Sequence, residues 1–300
     1  MSGEGQFSLN RISYGILAII VACIIWGFAP IYYKLLSHVP PFELLAHRTI
    51  WSFLFFFAVL IFNRKVIDLW NAIFVSREDL AIIMISSVLI AINWFFFIFA
   101  IQTNNATEAS LGYFIMPLVT VVWGLIIFKE KLSHIQWFAV LLAAIAVLIL
   151  TIGLTSAPWI ALTLAMSFSF YAVLKKRIKI SPMVSVTAEV LILIPLALLI
   201  ILYFHQGQGG SFGEDFLTSF LLALSGPLTA TPLILFSFGT LRVELSTVGI
   251  LQYINPSLQF FCAAVIFLEP LTIWHMLSFP MIWTALALYS WTGVRNSYKN

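Results

Sequence analysis

The chain has 300 residues, of which 62% are hydrophobic and only 9% charged, against about 25% charged in soluble domains. Its 15 basic and 12 acidic side chains cannot clothe a 33.8 kDa molecule in a water-soluble surface, and a mean hydropathy of +1.05 leaves the bilayer as its solvent. The formal charge of +3 is no nucleic-acid signature, since the basic residues sit in short loops, and Cys23 and Cys262 form no C-x-x-C spacing.

Ten apolar stretches follow one another, each close to the ~20 residues that a membrane-crossing helix needs. They cover 14–36, 43–62, 80–101, 109–128, 135–152, 157–174, 183–204, 217–239, 247–268 and 273–294. Residues 1–13 read as a polar tail. Ile20-Val21-Ala22-Cys23 looks like a lipoprotein cleavage box, but the apolar run continues past it to Leu36, so the stretch spans. The runs are continuous rather than alternating, which selects helices over a barrel. Val39-Pro40-Pro41, Ser181-Pro182, the glycine-rich 207–213 and Glu269-Pro270 punctuate them. Residues 64–79 predict a short helix on the membrane surface. Ala139, Ala143 and Ala146 give the fifth span a small face for close packing. The 207–213 stretch lacks the third glycine of a dinucleotide loop, because Phe212 stands there, and reads as an outer loop.

With ten spans, Arg11, Arg64, Lys65, Arg77, Lys129, Lys131, Lys175, Lys176, Arg177, Lys179, Arg242, Arg295 and Lys299 fall on one side, 13 of the 15 basic residues. The opposite loops hold none. The positive-inside rule then makes both termini cytoplasmic.

An internal repeat underlies the span count. Pro117, Glu130 and Leu132 recur as Pro256, Glu269 and Leu271, all at an offset of 139 residues. The chain therefore divides into two five-helix halves, 14–152 and 157–294. Five is odd, so the second half is expected upside down relative to the first. Such inverted repeats are a recurring plan of secondary transporters.

Polar groups within spans are costly and need a reason. Trp26, Asn93, Tyr113, Gln252, Tyr253, Asn255 and Gln259 lie too centrally, or too close to Pro117 and Pro256, to be interface anchors. They are the candidates for a cavity wall that contacts substrate. Prolines at 30, 117, 227, 232 and 256 free backbone carbonyls along the same helices. Lys34, His47, Arg48 and Glu108 are candidates for gating or charge anchoring. For Arg48 two readings stand: snorkelling or pairing with Glu108, and facing the cavity as an anion or carboxylate anchor. Glu189, seven residues into its span, is the candidate for proton coupling. No metal cluster is seen, and D-D-x-x-D, H-E-x-x-H and G-x-S-x-G motifs are all read as absent, so neither a cofactor nor enzymatic activity is expected.

Ile25-Trp26-Gly27, Lys34-Leu35-Leu36, Val39-Pro40, Glu43 to Arg48, Asn93-Trp94, Glu108 to Ile115 with Pro117-Leu118, and Leu251 to Ile254 with Pro256 together resemble the RarD-type permeases. These are a branch of the EamA group in the drug/metabolite transporter superfamily, and the resemblance runs over residues 14–294. It implies a multi-pass permease of the bacterial inner membrane built from two EamA-like repeats. Relatives in the superfamily move amino acids and other metabolites. The resemblance also implies a site among spans 1, 3, 4, 6, 8 and 9. Met116 stands where many relatives carry Asn, whereas its partner position keeps Asn255.

The expectation is thus an all-α polytopic membrane protein of ten transmembrane helices in two inverted five-helix repeats. It would move a small metabolite or drug-like molecule by alternating access. The competing reading is a channel or receptor-like membrane protein without alternating access. The expected partners are a small-molecule substrate and membrane lipid, not nucleic acid; a homodimer is also admitted.

Overall fold

Apolar runs of this length can satisfy their backbone in lipid by closing it into helices, and the chain does so. The computed structural model describes residues 3–74, 77–129, 132–153, 158–178, 180–207, 209–240, 242, 248 and 251–297. Its helices are α1 (Gly3–Leu35), α2 (Pro41–Phe62), α3 (Val66–Phe74), α4 (Arg77–Gln102), α5 (Ala106–Phe128) and α6 (His134–Gly153). They continue with α7 (Trp159–Arg177), α8 (Pro182–Gly207), α9 (Phe216–Thr240), α10 (Ile254–Phe261) and α11 (Ile273–Ser297). A π turn over Cys262–Ile266 extends α10.

Seven of these, α1, α2, α4, α5, α6, α8 and α9, are long and apolar enough to cross a membrane. Trp159–Lys175, Ile254–Ile266 and Ile273–Tyr289 are shorter apolar helices. Large apolar side chains such as Phe62, Leu141, Leu199 and Phe216 stand exposed on the outside, as lipid as solvent requires. The protein is a polytopic, all-helical membrane protein.

Two boundaries differ from the sequence expectation: in the span expected over 247–268, of which 247, 249 and 250 lie outside the described residues, α10 begins only at Ile254, and the N-terminal helix begins earlier than expected. Residues 3–13, read as a polar tail, belong to α1. The expected surface helix is present as α3, which buries Leu69 and Ala72 and leaves Ile67, Trp70 and Phe74 exposed. Glu130 and Lys131, part of the repeat signature, lie outside the described residues, as do residues 154–157 between the halves.

Helix ends are set by backbone chemistry. Arg64 takes a left-handed φ of 55° just past α2, while the Lys65 N–H donates to Leu60 O at 2.9 Å and the Arg64 N–H to Ile61 O at 3.0 Å. This is the double closure that satisfies the last carbonyls of a helix. Asn104 (φ 59°) ends α4 in the same way, with Asn105 N donating to Ala100 O at 2.8 Å.

The helices pack in a defined set of pairs. α2 lies on α8 and α9, α1 on α9 and α10, α4 on α7 and α8, and α5 on α7 and α10. α6 lies on α11, where Ala139, Ala143 and Ala146 are buried and Ser278 Oγ donates to Ala146 O at 2.9 Å. At Gly27 a Cβ would come within 2.6 Å of Leu258 Cβ, and at Gly112 within 2.8 Å of the Ala161 carbonyl. Both glycines are therefore close-approach points, one between α1 and α10 and the other between α5 and α7.

Candidate functional site

A cavity of about 460 Å³ opens at the centre of this bundle. All seven residues that the sequence nominated as substrate contacts line it: Trp26, Asn93, Tyr113, Gln252, Tyr253, Asn255 and Gln259. Arg48 and Glu189 line it too. The wall draws on more of the chain than the resemblance implied, since Arg48 comes from α2 and Val186, Glu189 and Val190 from α8.

Prolines shape its edge. A proline has no N–H to give the carbonyl four residues earlier, so Pro117 frees the carbonyl of Tyr113 and Pro256 that of Gln252. In the second case the backbone departs from the helix: Gln252 and Tyr253 form a turn, and Asn255 N donates to Gln252 O at 3.2 Å. Irregular backbone at this depth is tolerated where it lines a cavity, and Gln252 and Tyr253 do so.

The polar side chains of the wall divide into two kinds. Asn93 is fully buried and its amide is committed: Nδ2 donates to Leu164 O (3.1 Å) and Ser167 Oγ (3.3 Å), while Oδ1 accepts from the Tyr113 hydroxyl (3.0 Å). It ties α4 to α7 and aims Tyr113. Likewise Gln259 Nε2 donates to Asn255 Oδ1 at 2.9 Å, leaving Gln259 Oε1 buried without a hydrogen-bond partner. Arg48 is different. Its Nε donates to Thr229 Oγ1 at 3.0 Å, and its guanidinium carbon sits 4.1 Å from the Trp94 ring centroid and 5.6 Å from that of Tyr33.

Glu189 is not a lone carboxyl. Lys175 Nζ meets its Oε1 at 2.5 Å, Tyr171 donates to Oε2 at 3.0 Å, and the Ser185 hydroxyl donates to Oε1 at 3.1 Å. Lys175 also donates to Ser185. The nominated proton-coupling group is thus the buried end of an ion pair whose lysine is partly exposed.

The other nominated charges lie away from the cavity. Lys34 donates to Asn104 Oδ1 at 2.5 Å and lies over the Phe267 ring. His47 stacks on Phe212 with ring centroids 5.1 Å apart, its Nε2 3.9 Å from Glu43 Oε1. Glu108 faces the backbone N–H groups of Ile160 and Ala161, in the first turn of α7, rather than Arg48. An acid at a helix N-terminus is favoured by the partial positive charge there.

Two features escaped the sequence reading. Glu269 reaches across to the start of α5, where its carboxylate accepts from Ala106 N, Thr107 N and Thr107 Oγ1, each at 2.7 Å. The constant repeat offset had marked the position but not its partner. Residues 209–213 spell G-x-S-x-G, a pattern the exclusion of enzymes passed over. In the structure Ser211 donates both its N–H (2.6 Å) and its hydroxyl (2.9 Å) to the Glu43 carboxylate. The loop joins two helices rather than a strand to a helix, so it is not a nucleophile elbow.

Comparison with known proteins adds the family context. A model of the EamA-like transporter family matches residues 13–152. The transporter YojE of Bacillus subtilis (strain 168) is 39% identical over 94% of this chain and 95% of its own. Protein RarD of Salmonella typhi is 37% identical over 95% and 97%. A solved crystal structure superposes with a TM-score of 0.60 at 16% identity, covering 92% of this chain and 96% of that one, which speaks for the fold alone.

Proposed function

Because the chain belongs to the RarD branch of the EamA-like transporter family, we propose that this membrane transporter carries a small metabolite or drug-like molecule across the bacterial inner membrane by alternating access. Ten spans in two inverted halves, 14–152 and 157–294, would rock around the central cavity. The observation that carries the reading is that one cavity collects its polar and aromatic wall from both halves.

The packing supports a twofold relation between the halves. Exchanging them turns the α1–α9 contact into α7–α4, α2–α9 into α8–α4, and α1–α10 into α7–α5, and all of these contacts exist. The α2–α8, α6–α11 and α5–α10 contacts map onto themselves, as they do across a twofold axis. Lys129 and Leu268, at the repeat offset of 139, both carry a φ of 54°. The family match, which ends at residue 152, ends where the first half is read to end. Two near-equivalent halves give inward- and outward-open states of similar energy, which a carrier needs and a channel does not.

Cysteine accessibility tests the mechanism. With Cys23 and Cys262 replaced by Ala, Tyr253→Cys supplies a single thiol on the cavity wall. In sealed vesicles a membrane-impermeant maleimide should reach it from either face, and a transported compound should shift the balance between faces. Labelling from one face only rejects alternating access. Ion conductance through labelled and unlabelled protein alike selects the channel reading.

A further inference from the structure

Among the described residues, the cavity wall holds one charge that no neighbouring side chain neutralises. Arg48 is 7% exposed, and among the described residues no carboxylate lies within 4 Å of its guanidinium. Its neighbours are Thr229 and the faces of Trp94 and Tyr33, which orient the group and compensate a full charge only in part. The other ionised group on the wall, Glu189, is cancelled by Lys175. Acids on the neighbouring elements face elsewhere: Glu43 is held by Ser211, Glu269 by Ala106 and Thr107, and Glu108 by the backbone N–H groups of Ile160 and Ala161, its Oε2 buried without a partner.

A cation removed from water without a counter-ion is costly, and an anion entering beside it relieves that cost. We infer that the ligand of this cavity is an organic monoanion, with a carboxylate seated on Arg48 and an aromatic or apolar body against Trp26, Trp94 and Phe97. This rests on the cavity being the site of the transported molecule. A carboxylate matches the planar guanidinium fork and its single charge. A phosphate dianion would need a second positive group, and the N-termini of α5 and α7 are already taken by Glu269 and Glu108. A cationic ligand would meet uncompensated repulsion. The volume of about 460 Å³ falls within the range of sites that enclose small organic molecules, about 300–1,000 Å³.

Three probes of one shape and different charge test the inference: hydrocinnamate, hydrocinnamamide and phenylpropylamine. Each is titrated into the purified full-length protein in detergent, with binding read by intrinsic tryptophan fluorescence and by thermal shift. Hydrocinnamate should bind at least about 30-fold more tightly than the other two, the scale of losing one partner of a buried charge pair. Arg48→Gln should abolish that preference and Arg48→Lys should retain part of it. The ranking on the unaltered protein carries the test should Arg48→Gln not fold. Equal or tighter binding of the amide or the amine, or an acid preference that survives in R48Q, overturns the anionic class while leaving the carrier reading intact. Binding of none of the three overturns the inference, whereas the labelling of Tyr253→Cys, which does not depend on these probes, decides the carrier reading.

Discussion

Glu269 closes on Thr107 from 162 positions further along the chain, its Oε2 accepting both the backbone N–H and the hydroxyl of that residue at 2.7 Å. The first N–H groups of a helix have no partner within it, and here a carboxylate from the segment between α10 and α11 supplies one. Leu268, at a left-handed φ of 54°, turns the chain so that Glu269 faces α5. Glu269→Ala removes the acceptor of three hydrogen bonds and should lower stability by about 2 kcal/mol. Glu269→Gln keeps one carbonyl oxygen and should lose about half as much. Thermal unfolding in detergent measures both, and amide exchange should quicken at Ala106 and Thr107. Unchanged exchange there would show that the clasp does not hold the start of α5.

The Lys175–Glu189 pair separates a structural from a proton-coupling role. Lys175→Met leaves a carboxylate at 1% exposure without its cation, which should cost about 3–5 kcal/mol. Glu189→Gln alone should cost a similar amount by orphaning the ammonium. The double variant should recover most of the loss, because an uncharged pair has no solvation to recover. If transport by the double variant keeps its dependence on pH, the pair is structural. If that dependence vanishes, Glu189 is the coupling group.

Much of this architecture can be read from the residues in order. Polar side chains in the middle of apolar spans have few stable places to go, so Trp26, Asn93, Tyr113 and Gln252 converge on one cavity. Prolines at the repeat offset identify where the wall lies. Arg48, Lys34, His47 and Glu108 were harder, because spacing along a helix gives the face but not what packs against it. Only the approach of α9, with Thr229, and of α4, with Trp94, places Arg48 at the cavity. Glu269 next to Pro270 looks like a turn until α5 is brought beside it. A clasp between residues so far apart has no local signal at all.

Gly27 sets how closely α1 approaches α10. Because a Cβ would fall 2.6 Å from Leu258 Cβ and 3.3 Å from Asn255 O, Gly27→Ala forces the helices apart and should cost about 1–3 kcal/mol. Gly27→Leu should fail to fold. Gly207, where an added Cβ would meet nothing within 4 Å beyond its own helix, provides the control: Gly207→Ala should leave the unfolding temperature unchanged. Equal behaviour of G27A and G207A would mean that the α1–α10 interface is looser than the structure describes.

Asn93 and Tyr113 should part company in a kinetic experiment. Tyr113→Phe removes one hydroxyl from the cavity wall and leaves Asn93 Oδ1 without its donor, while the two bonds from Asn93 Nδ2 to α7 remain. It should cost about 1 kcal/mol in stability and act chiefly on KM for the transported molecule. Asn93→Leu breaks the tie between α4 and α7 as well, leaves the Tyr113 hydroxyl unaimed, and should cost about 1–3 kcal/mol with a fall in turnover. Initial rates in proteoliposomes over a range of substrate concentration resolve the two effects. Were Y113F and N93L to change KM and turnover in the same proportion, Asn93 would be a direct ligand of the substrate rather than the residue that positions Tyr113.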